Sequence, residues 1–358
     1  MNEILNSQSD ALNISDFLSS AEKYTQNVFP DLDITELFSN AISGSIGNIF
    51  EINNIFDVFL QEFSEIITLM ISIVTIIIIH SIFKTIIENL GNSNSSKVVY
   101  FVQYLIIVTI ITNNFVTILD LTKDCINNIV SFMNLFIPLL LTLMLTTGSL
   151  VTTTITEPIL IFMVNFIGNF ISSFLIPFLL VSITISIISN ISKKISIDKL
   201  SKFMKSSIIW ILGIILTIFS CTLSIEGTLS SSVDGMTGKT AKATVSTFIP
   251  VVGKILGDTV DSVIGCGNIL KNSVGIIGII VIIGIVLIPI IKIGILWFSF
   301  KLTSAVCEVI ADKKIISLIE EIGDSYKILF AILISVSIMF VIGITLVLKV
   351  TNTALMYR

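Results

Sequence analysis

The sequence is 358 residues long, and 54% of its residues are hydrophobic while only 13% are charged, about half the charged share of an ordinary soluble domain. Together with a mean hydropathy of +1.01, this composition excludes an ordinary soluble protein and indicates an integral membrane protein in contact with the lipid bilayer. The net charge of −5 argues against the basic surface that nucleic-acid binding requires.

Residues 1–65 form an acidic amino-terminal region in which Lys23 is the only basic side chain and no long apolar run occurs. Asp33 and Glu36 have the spacing of a capping box ahead of an apolar stretch. We therefore predict that this region is partly helical and amphipathic, and that it contains no membrane span.

Long uncharged runs follow, and each is long enough to cross about 30 Å of hydrocarbon as a helix. A segment inside a bilayer must satisfy its own backbone hydrogen bonds, which leaves helices as the spanning form. The predicted fold is therefore all-α, a polytopic membrane bundle of about seven to nine spans. The runs are 66–83, 98–119, 125–156, 158–192, 206–225, 272–291 and 328–348.

The stretch 125–192 is too long for one straight span and has room for two tilted helices or three shorter ones, of which we favour three. Pro138, Pro158 and Pro177 mark its expected kinks or joins. Its asparagines are expected to hydrogen-bond between helices or to line a polar path; they are Asn127, Asn128, Asn134, Asn165 and Asn169.

A basic loop at 190–205 indicates the orientation of the chain. Its five lysines face a single acid, Asp198, so the loop is predicted to be cytoplasmic. One crossing by 206–225 then places 226–271 outside the cytoplasm. Three helices within 125–192 would put the amino terminus outside, and two would put it inside.

The segment 226–271 is the long polar stretch set between apolar runs, and it is rich in glycine and small residues. Gly238, Lys239 and Thr240 match the end of a phosphate-binding loop, but Val233 occupies the position of its first glycine and no strand precedes it. We interpret the segment as an extracytoplasmic assembly or pore-lining surface. Its candidate residues are Glu226, Gly227, Asp234, Gly235, Gly238, Lys239, Lys242, Pro250, Gly253, Lys254, Gly257, Asp258 and Asp261.

Within that segment, 252–265 has apolar residues at helical spacing, with Lys254, Asp258 and Asp261 on the opposite side. This pattern predicts an amphipathic helix that ends at Gly265 or Gly267. The helix could lie on the bilayer or on neighbouring spans, or it could line a passage or dock a partner.

In the carboxy-terminal membrane region, 272–358, Gly275 and Gly278 share one helix face and Gly284 lies on another. Such glycines are candidates for close helix packing, within the chain or between copies of it. Pro289 is expected to bend or end this helix, and 293–311 could span, re-enter or lie at the interface. Lys292 and Lys301 are interpreted as side chains that reach toward the membrane surface.

No catalytic or metal-binding constellation is apparent, so we predict neither enzymatic activity nor a cofactor. The single histidine, His80, lies near the end of the first run. Cys125, Cys221 and Cys307 lie in apolar surroundings and are predicted to be small buried thiols.

The run from Ser224 to Gly265, SIEGTLSSSVDGMTGKTAKATVSTFIPVVGKILGDTVDSVIG, resembles the signature region of the stage III sporulation protein AE family of endospore-forming bacteria. The resemblance continues through KLTSAV and ADKKI, near Lys301 and Ala311, and more loosely back to Ile66. It implies a multi-pass protein of the mother-cell membrane around the forespore. Its partners would be the membrane and ring-forming subunits of a channel complex needed for late forespore development.

Members of this family commonly begin with a cleavable export signal, whereas residues 1–20 have no basic start and no continuous apolar core. Either a signal is missing from the sequence, or the acidic segment crosses by another route, or it stays in the cytosol.

The resemblance and the residues together favour a non-enzymatic channel subunit that forms homo-oligomers. The alternative is a stand-alone secondary transporter or permease for a small solute, which predicts paired broken helices and an internal repeat. Broken helices are indicated, but no clear repeat is apparent.

Overall fold

The structure, a computed structural model, describes residues 7–9, 11–26, 29, 32–44, 52–89, 93–147, 149–191, 197–248 and 252–356. All regular secondary structure in these ranges is helical, which confirms the predicted all-α fold. The elements are α1 (Ile14–Thr25), α2 (Ile34–Ser43), α3 (Ile52–Asn89), α4 (Ser93–Thr146), α5 (Leu150–Phe170), a π-helical turn (Ile171–Leu175), α6 (Ile176–Ile191), α7 (Asp198–Phe248), α8 (Val252–Cys307) and α9 (Lys313–Met356).

Helix α2 is the amino-terminal helix that the capping-box spacing predicts. Asp33 Oδ1 accepts hydrogen bonds from the backbone N–H groups of Thr35 at 2.8 Å and Glu36 at 3.1 Å. These bonds satisfy two of the free donors of the first turn. The helix ends at Gly44, whose φ of 73° favours a residue without a Cβ atom.

Among the described residues, six helical stretches are long and apolar enough to cross a membrane. They are Val58–Phe83, Tyr104–Thr146, Thr152–Asn190, Asp198–Ile225, Val263–Cys307 and Lys313–Lys349. Membrane spans are therefore confirmed, but their number falls below the predicted range. The sequence count treated polar interruptions as the ends of spans, whereas a helix continues through charged residues whenever their side chains lie on its surface.

The stretch 125–192 illustrates this difference. It contains the second half of α4 and one further helical stretch, 150–191, and therefore two helical stretches where three were favoured. Pro138 and Pro158 lie inside helices and do not separate them. Pro177 follows the π-helical turn, where the altered hydrogen-bond register accommodates a residue without an N–H donor.

Helix α8 lies at the centre of the bundle and packs against α9, α4, α3 and both amino-terminal helices. It runs antiparallel to α9, because Gly275 contacts Leu348 near one end while Gly294 contacts Phe330 farther along. The helix continues past Pro289 to Cys307, so 293–311 does not form a separate span or re-entrant segment.

Helix α7 runs parallel to α9. Lys205 reaches Glu321, and farther along both helices the rings of Phe219 and Phe340 make an edge-on contact at 6.3 Å between centroids. Since α8 is antiparallel to α9, α7 and α8 are antiparallel to each other. The two helices that bear the polar segment 226–271 therefore run side by side in opposite directions.

Helix α1 covers part of the apolar bundle. The ring of Phe17 lies 6.1 Å from that of Phe132 and 5.9 Å from that of Phe136, both on α4. Asp16 and Lys23 remain on the exposed face of α1. The amino-terminal region is thus amphipathic in α1 as well as α2, and its apolar face packs on the spans.

Candidate functional site

The polar segment 226–271 is helical over most of its length. Helix α7 continues beyond its apolar part, Asp198–Ile225, as far as Phe248, and α8 begins at Val252, before its apolar part, Val263–Cys307. For 226–248 and 252–262 the structure describes the backbone. Glu226, Gly227, Asp234, Gly235, Gly238, Lys239 and Lys242 lie on α7, and Gly253, Lys254, Gly257, Asp258 and Asp261 lie on α8, while Pro250 is outside the described residues.

The helix predicted over 252–265 is present, but its predicted end is wrong. Helix α8 continues through Gly265 and Gly267 into the apolar bundle. At Gly267 a Cβ atom would lie 2.6 Å from Thr146 Oγ1, so this glycine allows a close approach of α8 to the end of α4. Gly267 therefore serves helix packing, although in a sequence it looks like a residue that ends a helix.

The three glycines proposed for helix packing contact three different elements of the chain. Gly275 lies against Leu348 of α9. A Cβ atom at Gly278 would lie 2.5 Å from Phe136 Cε2 of α4, and one at Gly284 would lie 3.2 Å from Thr25 Cγ2 of α1. Among the described residues, these glycines allow α8 to pack closely against α9, α4 and α1 of the same chain.

Lys292 on α8 is held by two carboxylates of α3. Its Nζ lies 2.8 Å from Glu62 Oε2 and 3.3 Å from Glu65 Oε2, and the Glu62 side chain is only 15% exposed. An interhelical ion pair therefore replaces the expected contact with the membrane surface. The available signal was a pair of carboxylates three residues apart, which share one face of a helix.

Lys301 lies farther along α8 and forms ion pairs with two carboxylates of α9. Its Nζ lies 2.9 Å from Asp324 Oδ1 and 3.3 Å from Glu320 Oε1. The sequence interpretation missed both clusters, because a single sequence does not reveal which distant carboxylate faces which lysine.

Lys205 belongs to the bundle interior, although the sequence placed it in the basic loop. It is 8% exposed, and its Nζ donates a hydrogen bond of 2.9 Å to the backbone carbonyl of Glu321 on α9. Lys314 Nζ donates similarly, at 2.9 Å, to the carbonyl of Asn190 near the end of α6. These two hydrogen bonds connect α7 and α6 with α9 at one end of the bundle.

The expected hydrogen bonding between asparagines is confirmed at one place. Asn134 of α4 and Asn165 of α5 exchange two side-chain hydrogen bonds, of 3.1 and 2.9 Å. The pair joins α4 and α5, which follow one another in the chain.

Cys125 and Cys307 are buried as predicted, whereas Cys221 is exposed because it lies on the outward face of α7. The side chain of His80 is outside the described residues. Within the ranges that the structure describes, no three His, Cys, Asp or Glu side chains form a group that could hold a metal ion.

Comparison with known proteins identifies the family. Residues 32–351 match the family described as stage III sporulation protein AE. The chain belongs to this family. One curated relative, stage III sporulation protein AE of Bacillus subtilis (strain 168), is 30% identical over 286 residues, which cover 79% of this chain and 72% of the relative. No solved structure matches the chain.

The match to the stage III sporulation protein AE family reaches farther toward the amino terminus than the sequence resemblance suggested. It begins at residue 32 and therefore includes α2, whereas the resemblance was specific at 224–265 and extended only loosely back to about Ile66. Helix α1 lies before the matched region. Since six apolar helical stretches lie among its described residues, the chain is a multi-pass membrane protein of sporulation.

Proposed function

We propose that this chain is a non-enzymatic subunit of the channel complex that joins mother cell and forespore, located in the mother-cell membrane around the forespore. The observation that carries the proposal is the family match across 226–262, where α7 and α8 continue as helices beyond their apolar parts. The polar continuations of these two antiparallel helices would offer a docking surface to other membrane and ring-forming subunits or to further copies of the chain.

The orientation follows from the basic loop. If 190–205 is cytoplasmic, the crossing by α7 places 226–262 outside the cytoplasm. Helices α3, α4 and the stretch α5–α6, each crossing once, then place the amino terminus outside as well. An amino terminus outside the cytoplasm is the orientation that the sequence analysis favoured, although that analysis counted more spans before the basic loop.

The proposal is tested by replacing Lys239 and Asp258 with alanine together, in a spore-forming host that depends on this chain. We expect the variant to insert into the membrane at wild-type abundance but to lose assembly of the complex and forespore development. The matched control is Asp16→Ala with Lys23→Ala, which removes the same two charges from the exposed face of α1, before the family region. Normal sporulation of the first double variant would remove the segment from the mechanism.

Self-association separates this proposal from a stand-alone transporter. A pore-forming subunit is expected to form a ring or to need its partners, so the purified chain should self-associate or bind them in detergent. Solute transport by the isolated chain, as a small unit without partners, would instead favour the transporter.

A further inference from the structure

One face of α4 carries a row of exposed polar side chains, which we call the polar stripe. Between positions 113 and 134, where the structure describes every residue, all exposed side chains except Val116 are polar or charged. Most of them follow one another at intervals of three or four residues, which puts them on one side of the helix. They are Asn113, Thr117, Asp120, Asp124, Asn127, Asn128, Ser131 and Asn134.

The polar stripe lies at the same depth as the last apolar run of the chain. At one end, the hydroxyl of Tyr326 on α9 donates a hydrogen bond of 2.7 Å to Asn114 Oδ1 on α4. At the other end, Phe136 of α4 and Leu348 of α9 contact glycines of α8 that lie about one turn apart. The stripe is therefore level with 328–348, which contains no charged residue.

The length of the polar stripe matches the thickness of a membrane. At about 1.5 Å per residue it extends over roughly 30 Å, which is also the approximate thickness of the hydrocarbon layer. Its acids are not sequestered inside the bundle, because the Asp120 side chain is 64% exposed and Asp124 is exposed as well. Charged side chains at membrane depth face other helices or a water-filled space, since contact with lipid is costly.

The outward face of α7 shows the contrast. Phe219 of α7 contacts Phe340, within the same uncharged run of α9. The exposed side chains beside it are apolar, and both Ile214 and Ile218 are 54% exposed. At one depth, the bundle thus has an apolar side suited to lipid and a polar side that is not.

Helix α5 widens the polar side. Asn165 exchanges two hydrogen bonds with Asn134, at the end of the polar stripe, and Asn169 is exposed one turn farther along α5. Asn169 Oδ1 accepts a hydrogen bond of 2.9 Å from Ser173 Oγ, which is also exposed. Two neighbouring helices therefore present hydrogen-bonding groups in the same part of the membrane.

We propose that the polar stripe lines a water-filled passage across the membrane, enclosed within the assembled complex. Water in the passage solvates the carboxylates and amides of α4, while the apolar face of α7 contacts lipid. The hydrogen-bonding lining suits small hydrophilic solutes or ions. The inference rests on the proposed channel role, because one chain carries the stripe on its outer surface and only an assembly can enclose it.

Substituted-cysteine accessibility tests the passage. Asn127→Cys and Ser131→Cys are made singly in the full chain without its native cysteines, and membranes are isolated from sporulating cells that contain the complex. A charged methanethiosulfonate reagent is added, which reacts with thiolates in water. The matched control is Ile338→Cys, whose native side chain is 46% exposed in the uncharged run of α9. We expect both stripe positions to react at least about tenfold faster than position 338.

Two results of this labelling would overturn the proposal. If neither position 127 nor position 131 reacts, lipid or dry protein covers the polar stripe. If position 338 reacts as fast as the stripe positions, this depth of the bundle lies outside the membrane.

A second measurement needs no variant, should the cysteine variants fail to insert. A water-soluble carbodiimide with glycine methyl ester converts carboxylates in contact with water into amides, and peptide mass mapping locates the products. Asp120 and Asp124 should be modified in the isolated membranes. Modification only after the chain has been unfolded would contradict the passage. The variant of Lys239 and Asp258 tests assembly separately, so the proposed function can hold even if the polar stripe proves dry.

Discussion

At the residue scale, Gly278 shows how closely α8 packs in the bundle. Replacement by alanine would place a Cβ atom 2.5 Å from Phe136 Cε2 and 2.6 Å from Cζ. The ring is itself buried, so we expect Gly278→Ala to lower the free energy of unfolding by about 1–2 kcal/mol, even after the gain in helix propensity. Thermal unfolding in detergent measures this as a lower Tm.

Gly213→Ala is the control for that substitution. A Cβ atom at Gly213 would have no neighbour within 4 Å, so its Tm should stay unchanged or rise slightly. Equal stability of both variants would mean that α8 and α4 lie farther apart than described.

Single residues also show what a sequence can and cannot predict. The role of Asp33 was predictable, because a helix cap depends on residues two and three positions away. The partner of Lys292 was not, because Glu65 lies 227 positions away and the packing of α3 on α8 decides the pairing.

At the element scale, α1 is an amphipathic cover over α4 and α8. We expect Phe17→Ala to weaken this contact by about 3 kcal/mol, because Phe17 is 8% exposed and packs on two buried rings. Limited proteolysis should then cleave the chain near α1 much faster, while the membrane bundle stays intact.

Ser19→Ala on the exposed face of α1 provides the comparison for Phe17→Ala. Its proteolysis should match that of the wild type. Equal cleavage rates for both variants would contradict the described packing of α1.

The limits of the elements were predicted less well than their type. The sequence placed the end of a span at Glu226, where polar residues begin, but α7 remains helical to Phe248. Serine, threonine, alanine and lysine are compatible with a helix, so a change of polarity marks the end of an apolar part and not the end of a helix. The same reasoning explains why α8 passes through Gly265 and Gly267.

At the scale of the whole molecule, the three longest helices are longer than one crossing of the membrane requires. Helices α4, α7 and α8 contain 54, 51 and 56 residues. At about 1.5 Å per residue each is roughly 80 Å long, against about 30 Å of hydrocarbon. Each must therefore extend into the aqueous phase or the headgroups, and for α7 and α8 the polar part at 226–262 is the natural candidate.

This account rests on the location of that polar part outside the cytoplasm, and cysteine accessibility in sporulating cells tests it most directly. Single cysteines are placed at Ser9, Lys199, Ser231 and Thr247 in a chain that lacks its four native cysteines. The native cysteines are removed because Cys221 is exposed and could itself react with the reagent. The cells are treated with a membrane-impermeant thiol reagent before engulfment is complete. We predict labelling at positions 9, 231 and 247 and protection at 199; labelling at 199 with protection at 231 would invert the orientation and contradict the proposed docking surface.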